Sequence, residues 1–292
     1  PTKGGLRIGK RLPERKSDEP FDELLEWERD GQYYHYLTKW MHALGKASRV
    51  IGDRTYILWA IELAKTAHAA FVYTLPNGQK SMYWKVSIDL ARPLVPFMGQ
   101  HDPLDGFVSY NQLQALAPAD PKWPNLRAEI DEISTILDGI ELSTTDPLGI
   151  GELLCSAYKV AELKYVGYWD QTDLLLILLG SARISLTAYL KENPLRYPAD
   201  RRLAFREIGL AIGLHSVENL IKLMAEKPNL FDKEALLQKW TTDLLQYAPL
   251  AQKIEEFWIK LGNRRSRSWV ENRDINMVML STSLIPKGYL GT

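Results

Sequence analysis

Cysteine is almost absent: the chain of 292 residues carries one, Cys155. That excludes an internal disulfide and a Cys-rich zinc site, and it suits a reducing cytoplasm. An excess of charge of either sign is missing too, because Lys+Arg and Asp+Glu each number 36. No general attraction to nucleic acid or to an anionic membrane follows from such a balance. Long apolar runs are lacking, the longest strongly apolar one being Leu174 to Leu179, far too short to cross a bilayer. Pro1 to Arg15 is basic and Gly-rich without the apolar core of a secretory leader, so a cytoplasmic protein is expected. The five histidines are scattered and form no His-Glu-x-x-His pattern, so no metal site is predicted. Phosphate-cradling Gly-Lys-Ser/Thr loops, dinucleotide glycine patterns and Gly-x-Ser-x-Gly elbows are absent as well, and no cofactor is expected.

What is present is apolar material for a large core, with nine Trp and 14 Tyr among it. Asp102-Pro103-Leu104 returns as Asp146-Pro147-Leu148, 44 residues on (146 − 102), and each copy opens a helical apolar pattern. Asp before Pro is a helix start, since the carboxylate caps free N–H groups and Pro suits the first turn. A spacing of about 40 residues is the length of one helical hairpin. The spacing predicts helices from Gly31, with Tyr33, Tyr36, Leu37, Trp40, Met41 and Leu44 as one stripe, and over 53–71, with Tyr56, Trp59, Ala60, Leu63, Ala67 and Ala70 inward. Further helices are predicted near 103–117, 125–139, 147–163, 171–191, 201–225, 233–246, 249–260 and 274–285. Between Leu75 and Gln100 the pattern breaks, with a turn at Pro76-Asn77-Gly78, a short strand within Met82 to Ile88, and Pro93 and Pro96 excluding a regular helix.

Two kinds of helix occur in the chain. Asp173 to Ala188 and Leu203 to Met224 are apolar nearly all round, whereas 53–71 and 125–139 are amphipathic. An inner layer wrapped by an outer one is the expected result. The fold class is therefore all-α, an α/α toroid over 1–292 as a single domain, with residues 1–28 an extended N-terminal arm.

Asp stands before the first helix of four expected hairpins, at Asp30, Asp102, Asp146 and Asp274. Capping alone accounts for Asp146. Asp30 and Asp274 each follow an Arg and lie among polar and aromatic residues: Tyr34 and His35 near one, Trp269, Asn272 and Asn276 near the other. The segment from Trp84 and Lys85 through Asp89, Arg92, Gln100 and His101 to Asp102 and Asp105 concentrates charge in a Pro-stiffened aromatic loop. His101 is a candidate proton carrier there, histidine being the side chain suited to that role. Asp102 and Asp105 fall on one helical turn, where like charges push one carboxyl up, unless Lys85 and Arg92 neutralise them in an ion-pair network. His35 and His42 share a helix face; His215 sits in an apolar helix near Glu218 and Asn219. Arg264, Arg265 and Arg267 read as a solvated basic turn.

Polar residues at the starts of inner helices give the chain a resemblance to the six-hairpin glycosidase superfamily. The segments that look alike are Arg29-Asp30-Gly31-Gln32-Tyr33-Tyr34-His35-Tyr36, the stretch Tyr83 to Gly106, and Trp269-Val270-Glu271-Asn272-Arg273-Asp274-Ile275-Asn276. A full toroid of that kind has twelve helices; the pattern here gives about ten, so a ring short by one hairpin is expected. The resemblance implies a carbohydrate-active enzyme of glycoside hydrolase type with a small-molecule sugar as its partner. Asp30, Asp102, Asp105 and Asp274 become its candidate acids and bases, and His101 and His35 its alternative proton carriers. Trp84, Trp269 and Tyr34 would stack on the sugar, and Arg29, Lys85, Arg92, Asn272 and Asn276 would hold its hydroxyls. Two alternatives remain open: a sugar epimerase of the N-acylglucosamine 2-epimerase type, and a non-catalytic helical-repeat scaffold.

Overall fold

The computed structural model describes residues 7–231 and 235–291, and within them the chain is mostly helical. The first six residues of the expected arm and the first two of the helix expected at 233–246 lie outside the described residues. The chain divides into two compact units, one ending at Glu141 and one beginning at Leu142.

In the first unit an extended arm leads to α1 (Glu23–Glu26), which Asp22 caps by accepting from the Leu25 amide. The arm is stitched to the segment just after α1: the Ile8 amide donates to the Gly31 carbonyl at 3.0 Å, and the Asp30 amide to that of Leu12 at 2.8 Å. β1 (Gln32–Tyr33) precedes α2 (Tyr34–Ile51), so the helix begins three residues after Gly31. α3 (Thr55–Phe71) packs back on α2 after the left-handed Gly52, whose φ of 76° suits glycine. Then come β2 (Val72–Thr74), β3 (Lys80–Met82), β4 (Lys85–Val86) and β5 (Pro93–Val95). β2 and β3 form a hairpin across the Pro76-Asn77-Gly78 turn, pairing Val72 with Met82 and Thr74 with Lys80. β4 lies between β1 and β5, antiparallel to both, with Tyr33 opposite Lys85 and Lys85 opposite Val95. α4 (Asp102–Leu116) and α5 (Arg127–Leu137) complete the unit.

The core joins Leu37 and Met41 of α2, Ile57, Ile61 and Phe71 of α3, Tyr110 and Leu113 of α4, and Ile133 of α5. The buried face of α2 is Tyr34, Leu37, Thr38, Met41 and Gly45, rotated from the expected stripe, and Tyr36 and Trp40 are exposed. Trp59, expected inward, also faces out while Ile57 and Ile61 fill the core.

The second unit holds α6 (Pro147–Tyr165), α7 (Thr172–Lys191), α8 (Ala204–Glu226), α9 (Pro228–Phe231), α10 (Ala235–Leu245), α11 (Pro249–Ile259), α12 (Arg267–Glu271), α13 (Arg273–Leu284) and α14 (Pro286–Leu290). α7 and α8 are long and apolar enough to cross a bilayer by length and composition alone, which the six-residue run understates. α8 is instead wrapped by α6, α10, α11 and α13, whereas α7 leaves Ile177 and Ile184 exposed. The tightest seam is between α6 and α8, where a Cβ on Gly151 would overlap the Gly209 carbonyl and one on Gly213 would lie 2.5 Å from the Gly151 Cα.

In each unit one pair of alternate helices adjoins and runs the same way, α2 with α4 and α6 with α8. The first turns of α2 and α4 meet through His35 and Asp102, and further along Gly45 lies against Leu113 and Leu116. α6 and α8 start together at Asp146 and Arg206, 2.6 Å apart, and end together at Tyr165 and Glu226, 2.9 Å apart. Parallel neighbours joined by a returning helix bring the first turns of successive helices side by side, and that is where the charged residues gather.

Candidate active site

The two Asp-Pro-Leu copies do different things. Asp146 caps α6, its Oδ1 accepting from the Leu148 amide at 3.2 Å. Asp102 is already the first residue of α4, and the residue before it, His101, makes no side-chain cap. Freed from capping, the Asp102 side chain folds over Gly99, where a Cβ would collide with its carboxylate. Asp102 is 5% exposed. Its Oδ1 lies 3.7 Å from His35 Nδ1, and its Oδ2 is buried with no hydrogen-bond partner. Buried polar oxygens are nearly always paired; Gln32 Oε1 and Asn276 Oδ1 share this state, and what sets Asp102 apart is the half-exposed His35 beside it.

Around it α2 and α4 contribute one polar cluster. Asp105, one turn along α4, accepts from the Thr38 hydroxyl and from Lys39 Nζ at 3.1 and 3.2 Å. The His35 side chain is 41% exposed and faces outward beside Tyr36. Thr38 and Lys39 lie near His35 and His42 in the sequence, but nothing there marks them as partners of a residue 67 and 66 positions on. His101, Asp102, Asp105 and His35 thus occupy the first turns of two adjoining helices, or the residue before them.

Other expected site residues serve the fold. Lys85 is fully buried; its Nζ donates to the Glu26 and Arg29 carbonyls, both at 2.8 Å, and to Glu26 Oε1 at 3.2 Å, and lies 5.6 Å above the Tyr33 ring. Burial pulls its ammonium below the usual lysine range, against the opposing pull of Glu26. Its three protons are occupied, so it cannot also hold a ligand. Asp30 Oδ1 accepts from the Gly9 and Gly31 amides at 2.8 and 2.9 Å, with Arg7 3.7 Å from its other oxygen. Arg29 binds Glu19 at 2.8 Å and Arg92 donates to the Arg15 carbonyl at 2.6 Å. All four fasten the arm. Tyr34 is fully buried, its hydroxyl donating to Tyr110 at 2.7 Å, and burial holds it well above the usual tyrosine range. A ring in that position is core and does not stack on a ligand.

Trp84 keeps an open edge. Trp27 packs on it at 4.4 Å and Tyr33 at 4.7 Å, and Tyr33 continues to His35 at 5.5 Å between ring centres. A row of rings therefore joins Trp27 to the His35–Asp102 pair.

In the second unit Asp274 is exposed in the first turn of α13. Asn272 donates to the Ser268 carbonyl at 3.1 Å, and the fully buried Asn276 to that of Trp269 at 3.1 Å. Trp269 is itself buried, stacked on Trp258 at 5.6 Å. Neither Asn276 nor Trp269 reaches solvent, which corrects the expectation that they line a sugar site. His215 pairs with Glu255 at 2.8 Å, and Ser283 donates to the same oxygen at 2.5 Å. Among the described residues no group of three or more His, Cys, Asp or Glu is arranged to hold a metal ion.

Comparison with known proteins gives no matching family model, no matching curated protein and no matching solved structure.

Proposed function

We propose that this protein is a carbohydrate-active enzyme of glycoside hydrolase type, working at the first turns of α2 and α4. The reading includes the toroidal arrangement over 1–292 and a cytoplasmic setting. Parallel neighbouring helices with polar first turns support the toroid. The observation that carries the reading is the buried Asp102 Oδ2, left without a partner beside a half-exposed imidazole and at the end of an aromatic row. A ligand oxygen is the partner it lacks.

In this reading Asp102, in its acid form, gives a proton to the glycosidic oxygen as the C1–O bond breaks. Water adds to C1 and passes its proton to a carboxylate, for which Asp105, oriented by Lys39 and Thr38, is positioned on the same turn. Asp105 then gives that proton up to solvent, and the half-exposed His35 takes one from solvent and passes it to Asp102. The His35–Asp102 contact also favours a second reading, because such a dyad removes a proton from sugar carbon in an epimerase.

The test is a panel of fluorogenic glycosides and unlabelled oligosaccharides assayed in water and in deuterium oxide. Hydrolysis that Asp102→Asn reduces by about 100-fold or more supports the first reading. Deuterium appearing at sugar carbon without bond cleavage selects the epimerase. Binding without either reaction leaves a scaffold.

A further inference from the structure

Phe21, Trp27 and Phe97 are 45, 45 and 50% exposed. With Trp84 and Val95 they line a shallow cleft that is open to solvent, with Glu23 and Glu26 as its polar residues. Its rings meet edge to face, Phe21 against Phe97 at 81° and Trp27 against Trp84 at 65°. Three large aromatics left open around one hollow are unlike singly scattered surface residues and mark a binding surface.

The walls are held in advance of any ligand. The Trp84 amide donates to the Phe97 carbonyl at 2.8 Å, Arg15 lies over the Phe21 ring at 5.8 Å, and Glu26 is fixed from both sides. Its Oε1 is bound by Lys85 at 3.2 Å and its Oε2 by Arg15 at 3.0 Å. With both oxygens engaged by cations, Glu26 offers no charge to attract an ammonium ligand. Glu23 is exposed and leaves carboxylate oxygens to accept from hydroxyls. Aromatic faces for C–H groups and a carboxylate for hydroxyls are what a pyranose ring needs.

We infer that this cleft is a second sugar subsite, and that the substrate is an oligosaccharide of at least two units rather than a free monosaccharide. The inference rests on the proposed carbohydrate reading. The link to the reacting end is the ring row: Trp84 touches Tyr33, Tyr33 touches His35, and His35 touches Asp102. Tyr33 is buried, so the row fixes Trp84 and His35 relative to each other without itself meeting sugar; in this proposal the next unit of the same chain extends past it toward the acid.

The experiment is a tryptophan-fluorescence titration of the full chain carrying Asp102→Asn, which binds without turnover. The probes are cellobiose, maltose, xylobiose and chitobiose, each beside its monosaccharide, with choline as a cationic control. One disaccharide is expected to bind about tenfold or more tightly than its monosaccharide. Trp27→Ala, and independently Phe97→Ala on the opposite wall, erase that difference while circular dichroism stays unchanged. Glu23→Gln weakens the disaccharide severalfold. Equal affinity for disaccharide and monosaccharide, indifference to both wall substitutions, or saturable choline binding that displaces sugar overturns the subsite. Hydrolysis by the unsubstituted chain alongside those results leaves the enzyme reading standing. A wall-dependent disaccharide preference without any turnover removes the enzyme reading and keeps the subsite.

Discussion

Replacing Glu26 by Ala strips the counter-charge from Lys85 while leaving the ammonium buried on two carbonyls, those of residue 26 and Arg29. It also removes the carboxylate that Arg15 binds at 3.0 Å. Breaking an ion pair at a surface costs about 0–1 kcal/mol. Lys85 is fully buried and Glu26 nearly so, which places this pair in the class where losing one partner costs about 3–5 kcal/mol. Lys85→Met should itself cost about 1–3 kcal/mol through the two carbonyls left without a donor. The double variant then falls short of the sum, because once the ammonium is gone Glu26 has less to neutralise. Urea unfolding followed by tryptophan fluorescence measures all three. pH gives an independent check. Burial lowers the Lys85 pKa in the folded chain, so below 10.5 the unfolded chain binds the extra proton and the folded chain is penalised. Stability from this group therefore rises as pH climbs from the lowered value toward 10.5, and the rise is steeper once Glu26 is absent. A Glu26→Ala cost below about 1 kcal/mol, additive with Lys85→Met, would refute the buried clamp.

Three further outcomes are expected. Gly151→Ala should destabilise the second unit by about 3 kcal/mol or more, since its new methyl meets the Gly209 backbone, which cannot rotate away; a loss under about 1 kcal/mol in thermal unfolding contradicts the seam. Burial lowers the His68 pKa, so the unfolded chain takes up a proton first as pH falls through 6.5 and stability drops; His68→Gln should flatten that drop between about pH 7.5 and 5, and an unchanged slope refutes it. Asp102→Ala should raise stability by about 1 kcal/mol, seen as a higher unfolding midpoint, because it removes a buried oxygen that has no partner; a clear fall shows that the side chain is there for stability.

Helices are legible wherever apolar spacing is strong, and Asp146 caps α6 as its Asp-Pro-Leu copy suggests. The face of α2 is harder to read, because Tyr36 and Trp40 weigh as apolar in a pattern, while the side that packs uses Thr38 and Gly45, whose small size lets α4 approach. Asp102, Asp105, His101 and His35 are legible as polar residues at helix starts. Their meeting depends on α2 and α4 running side by side, and no local pattern encodes that. Lys85, Arg92, Arg29 and Asp30 look like a site because they are charges in an aromatic setting, yet their partners sit in the arm, as far as 77 residues away for Arg92. Trp27 and Phe97 lie outside any regular helix or strand, so periodicity has no hold on them. Trp27 is visible only as part of the expected arm over 1–28.

A crystal structure of the Asp102→Asn chain with the tightest-binding disaccharide tests the central claim most directly. The account predicts one ring between Trp27 and Phe97 and a glycosidic oxygen about 2.6–3.2 Å from the side chain at 102. Sugar bound elsewhere, with the oxygen at 102 still lacking a partner, would contradict it.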